Sequence, residues 1–119
     1  MSTQPDPRTW LFDILEAGAR VQRFLGDKSY ADYVADDLLR AGVERQFEII
    51  GEALNRLRTR APDLAGSIRE HARIIGFRNL LIHGYAIVDD AIVWDISSTK
   101  LVPLLTDVSR LLEQLNRQR

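Results

Sequence analysis

Four side chains within the eight residues from position 78 to position 85 could act together on one reacting group: Arg78, Asn79, His83 and Tyr85. An imidazole titrates near neutrality and can pass a proton either way. A guanidinium is a permanent cation whose planar fork fits phosphate oxygens. With an amide and a phenol beside them, these groups suit a phosphodiester. Asn79 and His83 are four apart and share a face on a helix. Arg78 and His83 are five apart, about 140° around an ideal helix. They meet only if the helix end loosens or a second copy supplies part of the site.

The stretch from Ile74 reads as the last turns of a helix that stops at Gly84, a residue suited to a left-handed cap. Tyr85 then leaves the helix axis beside His83. Helix 1 is expected from Pro7 to Leu25, with Asp6 as N-cap and Pro7 at the first helical position. Ser29 caps a short helix from Tyr30 to Val34, whose tyrosines are expected to pack on helix 1. Asp36 or Asp37 caps a long helix ending near Arg58 or Arg60, with an apolar stripe through Leu39, Val43, Phe47, Ile50, Leu54 and Leu57. Gly42 and Gly51 lie inside that helix, where each implies close approach of another helix. Residues 61–66 are expected as a loop, and helix 4 as Ser67 to Ile82 with Ile68, Ala72 and Ile75 inward. Asp89 or Asp90 caps the last helix, which carries Ile92, Ile96, Leu101, Leu105 and Val108 to about Leu115. Pro103 should kink it near Thr99. The result is an all-α up-and-down bundle of four to five helices in one domain over residues 1–119, with residues 1–5 as a frayed tail.

A chain of 119 residues with 45% apolar content can bury a core without staples. It has no cysteine, which removes disulfides and thiolate metal sites and agrees with a reducing cytoplasm. No apolar run approaches the roughly 20 residues of a membrane span, and the N-terminus has no signal-peptide pattern. A net charge of −1 argues against coating nucleic acid nonspecifically. Glu48 and Glu52 are four apart, but with only two histidines no metal site is expected. His71 reads as a surface residue. Arg69 and Arg73, and the cluster Arg56, Arg58 and Arg60, either guide a nucleic-acid backbone or form a solvated face.

The pattern Arg-x4-His-x-Tyr formed by Arg78, His83 and Tyr85 resembles the signature of HEPN-domain ribonucleases. Ile49-Ile50-Gly51-Glu52-Ala53 resembles the family's central-helix motif, and Ile92-Val93-Trp94 resembles the opening of its last helix. Among these ribonucleases the chain is most similar to HepT-like toxins, which accompany minimal nucleotidyltransferase (MNT-type) antitoxins. The resemblance implies a cytoplasmic, homodimeric, metal-independent RNA endonuclease without a cofactor. His83 and Arg78 would be catalytic, and Asn79, Tyr85 and Arg73 would bind substrate. The antitoxin would transfer AMP to Tyr85. Residue by residue, alternatives stay open. Arg78 could instead pair with Glu70 or an acid on helix 3, Asn79 could be a surface amide, and Tyr85 could pack against the last helix. Two other readings compete: a nucleotide- or nucleic-acid-binding partner of a nucleotidyltransferase that does not cut, and a purely structural helical dimer.

Overall fold

Asp6 accepts a hydrogen bond from the backbone N–H of Arg8, and Pro7 begins α1 (Pro7–Leu25). In this computed structural model, residues 5–83 and 88–118 are described. The helix ends at Gly26, whose φ of 46° is a left-handed value that glycine adopts without steric cost. Ser29 and Asp32 form a reciprocal capping box on α2 (Tyr30–Ala35). Asp36, of the two candidate caps, starts α3 (Asp37–Arg60) through a bond from the Leu39 N–H.

Among the described residues no strand occurs, and the helices enclose one core. Leu11, Ile14 and Val21 of α1 meet Val43, Phe47, Ile50, Leu54 and Leu57 of α3 at its centre, all fully buried. The periodicity of both helices is therefore the periodicity of their burial. Tyr33 is buried as well, but the ring it meets is Trp94, at 5.8 Å, and Tyr30 meets the same ring edge-on. Both tyrosines thus form an aromatic cluster with the last helical segment.

The 61–71 region departs from expectation. Pro62 stops α3, but it also opens a short helix, α4 (Pro62–Gly66), because its fixed φ suits a first helical position. The next helix, α5 (His71–His83), begins four residues later than expected at Ser67. Glu70 has a φ of 70°, a left-handed value that ends any helix started at Ser67. Ile68 plugs the core from the turn that precedes α5, and Ala72 faces out. The inward residues of α5 are Ile74, Ile75 and Phe77.

Asp107 holds this turn in place from α7 (Leu101–Arg117). It is 1% exposed and accepts from the Arg69 backbone N–H at 2.8 Å, from the Arg69 guanidinium, and from Arg110 at 2.7 Å. The bond from the Arg69 side chain, more than any other contact, holds the Asp107 carboxyl down to about 2 from 3.8. A depressed folded pKa gives stability that is present above about pH 4 and lost as pH falls toward 2. It is worth at most about 2 kcal/mol, since both guanidinia reach solvent. Asp107→Asn should therefore melt below wild type at pH 6, with the gap closing toward pH 2. Thermal melts that stay parallel across this range would refute the role.

α6 (Asp90–Asp95), capped by Asp89, runs straight into a π-helical turn, Ile96–Lys100, and then α7. The Leu101 N–H reaches back to the Ile96 carbonyl, five residues earlier. The disturbance covers Thr99, one turn before Pro103, where the proline ring would otherwise press on a carbonyl. The expected kink is thus a π turn in a continuous helical segment. The turn also shifts the buried register: Val93 and Ile96 precede it, Leu101, Leu104, Val108 and Leu111 follow, and Ile92 is exposed.

Candidate active site

Gly51 sets the position of Arg78. A Cβ built on Gly51 would overlap the Cβ and Cγ of Arg78 and approach the Ile74 carbonyl at 3.3 Å. The missing side chain lets α5 lie against α3 at the level of the motif. Gly42 has no such role, since a Cβ there would make ordinary contact with Phe24 at 3.4 Å. With the helices this close, the Arg78 stem is held against α3 and its guanidinium meets Glu52, one residue past Gly51. The Arg78 side chain is 20% exposed.

Both ends of the Arg78 fork are engaged. One terminal nitrogen donates to Glu52 Oε2, and the other donates to Asn79 Oδ1 at 2.8 Å. Nε is buried with no hydrogen-bond partner among the described residues. Glu52 also accepts from Arg56 Nε at 3.1 Å. The bond from Arg56, followed by the charge of Arg78, holds the Glu52 carboxyl below its ordinary range. The carboxylate therefore stays ionised between two guanidinia. Of the partners open to Arg78, the acid on the long helix is the one it takes.

Asn79 is exposed and one turn before His83 on the outer face of α5. Its link to Arg78 bridges the inner and outer faces of the helix. His83 is the last residue of α5 and is exposed. Its ring is therefore reachable from solvent at the C-terminus of the helix. The outer face also carries Gly76, which has open space around it, and Leu80, which is 49% exposed. The cap at Gly84 and the departure of Tyr85 lie outside the described residues.

Arg73 pairs with Asp95 of α6 at 3.6 Å, on the other flank of α5 from the Arg78–Glu52 contact. Arg69 binds Asp107 through both its backbone N–H and its guanidinium, which gives it a structural role. Glu48 pairs with Arg45 and Glu52 with Arg56 and Arg78, so the two carboxylates serve ion pairs. His71 is half-buried and its Nδ1 lies 3.0 Å from the Ile68 carbonyl.

A cleft of about 420 Å³ adjoins this group. Its walls come from α1 (Thr9, Asp13), from α3 (Arg45, Glu52, Arg56) and from Ile82, the neighbour of His83. A smaller hollow of about 250 Å³, which shares Trp10 and Arg56 with it, extends to Thr59 and Arg60. A larger hollow of about 690 Å³ between α1 and α7 touches none of the motif residues. Asp13 was not singled out by the sequence, because an acid on the flank of an amphipathic helix carries no signal of its own. Asp107 did leave one: it falls within the apolar stripe of Leu104, Val108 and Leu111.

The HepT-like family profile, described as "Ribonuclease HepT-like", matches residues 14–114. The chain is 34% identical over 95 residues to the protein named "Putative RNase MJ1380" of Methanocaldococcus jannaschii, covering 76% of this chain and 83% of the relative. It is 31% identical over 109 residues to "Putative RNase TTE0752" of Caldanaerobacter subterraneus subsp. tengcongensis, covering 91% and 96%. It is 34% identical over 100 residues to "Probable ribonuclease HepT" of Thermococcus cleftensis, covering 78% and 88%. No solved structure matches it at a significant level.

Proposed function

Because the chain belongs to the HepT-like ribonuclease family and is an RNA endonuclease of the HEPN type, we propose that it cuts RNA without a metal ion, as the toxin of a pair with an MNT-type nucleotidyltransferase. The observation that carries this reading is the placement of Arg78 by Gly51 and Glu52, linked through Asn79 to the face that bears His83.

In the proposed reaction His83 takes the proton of a ribose 2′-hydroxyl. That oxygen attacks the adjacent phosphorus, the bond to the 5′-oxygen breaks, and a protonated imidazole returns a proton to the leaving oxygen. The products are a 2′,3′-cyclic phosphate and a 5′-hydroxyl. Arg78 stabilises the charge that builds on the phosphate oxygens. Glu52 keeps the guanidinium aimed, and Arg56 helps keep Glu52 ionised. The spacing of Arg78 and His83 is met by a homodimer in which the outer faces of two α5 helices line one cleft. Gly76 and the exposed Leu80 give that face a close-packing, apolar character.

Purified protein should cleave single-stranded RNA equally well with and without EDTA, leaving cyclic phosphate ends. Loss of cleavage in EDTA would overturn the metal-independent mechanism. Tight RNA binding with no cleavage under any condition would favour the module that holds phosphate without breaking it.

Tyr85 is the proposed point of control. An AMP group on its phenol would add bulk and a negative charge where Arg78 and His83 meet substrate. Tyr85→Phe should still cut RNA at least in part, yet gain no AMP when incubated with a cognate nucleotidyltransferase and ATP. Intact-mass spectrometry reads this directly, and an adduct mapped to another residue would show that Tyr85 is not the switch.

A further inference from the structure

We propose that the cleft between α1 and α3 is a nucleobase subsite, that it selects guanine next to the scissile phosphate, and that Asp13 is the residue that reads it. The inference rests on the ribonuclease reading and adds a substrate preference to it. The cleft is continuous with the motif, since Glu52 is both its wall and the partner of Arg78, and Ile82 at its lip precedes His83. A nucleotide beside the reacting phosphate therefore has this cleft within reach.

The lining suits a flat, apolar ring with a polar edge. Trp10, Ile49, Ala53 and Ile82 supply apolar surface, and Ile82 is 45% exposed. Single-stranded RNA is read by splaying such rings out of the stack and bonding their edges. Three carboxylates face the cleft, and two of them are neutralised: Glu48 by Arg45, Glu52 by Arg56 and Arg78. Asp13 has no ion pair among the described residues. Its two oxygens accept only. Guanine presents two adjacent donors, N1–H and the 2-amino group, which match them in parallel. Adenine and cytosine place a ring acceptor beside their amino group, and uracil flanks its single N–H with two carbonyls. Each of these sets a lone pair against the carboxylate. Beyond the base, Arg60 in the adjoining hollow offers a guanidinium to the next backbone phosphate, which offsets the negative charge of Asp13.

The test uses short oligouridine strands with one guanine, inosine, adenine or cytosine, each prepared as cleavable RNA and as non-cleavable 2′-O-methyl RNA. Wild type should cut beside guanine and bind the guanine strand roughly tenfold to a hundredfold better than the adenine strand. Inosine, which lacks the 2-amino group, should fall between them. Asp13→Asn keeps the side-chain shape and should bring guanine and adenine level in both assays, with an unchanged thermal melt. Full guanine preference in Asp13→Asn, or wild type indifferent to the base in binding, overturns the subsite. The binding arm keeps the two readings apart. Asp13-dependent guanine binding without cleavage sinks the ribonuclease mechanism and leaves the subsite, whereas cleavage indifferent to base and to Asp13 does the reverse.

Discussion

Replacing His83 by alanine should slow RNA cleavage by roughly 10²–10⁴-fold, the usual worth of a general acid/base. The same substitution should leave the fold intact. His83 is exposed at the last position of α5 and buries no surface in the core. Circular dichroism and thermal melting of His83→Ala should overlay wild type while the cleavage rate collapses. Equal rates for the two proteins would remove His83 from the chemistry. A loss of rate accompanied by a lower melting temperature would point to a structural role instead.

Arg78→Ala should cost roughly 10²–10³-fold, as does removal of one preorganised donor that stabilises a developing charge. The structure says why folding should survive. The Cβ that packs on Gly51 is retained, and Glu52 keeps Arg56 as a partner. Arg78→Lys should recover only a small part of the rate, because an ammonium cannot reach Glu52 and Asn79 at once as the fork does. Mixing the two inactive proteins tests how the site is assembled. If Arg78 of one copy serves His83 of the other, each mixed dimer of Arg78→Ala with His83→Ala holds one intact site of its two by symmetry. Activity should then return on mixing. No recovery from proteins shown to exchange subunits would mean that each copy works alone and that the helix end must loosen to bring the two groups together.

The amphipathic helices were readable in the sequence because their periods are long and uninterrupted. The stripe from Leu39 to Leu57 and the caps at Asp6, Ser29 and Asp36 are local facts, settled within one or two turns. Arg78, His83 and Tyr85 were legible as a motif for the same reason: their spacing is covalent. What the sequence could not rank were contacts between segments distant along the chain. Asp107 lies 38 positions after Arg69, yet its bonds to that turn, together with the left-handed Glu70, fix where α5 begins. Pro103 announced a disturbance, but only the packing of Val93 and Ile96 before it and Leu101 after it made that disturbance a π turn. Gly51 signalled a close approach without saying to what. Tertiary structure answered with Arg78, and so turned a motif cation into one aimed by Glu52 and linked to Asn79. A sequence fixes which groups are near along the chain. The burial of α5 against α3 decides which of them meet, because a guanidinium is held in one direction only where partners and packing leave it no other.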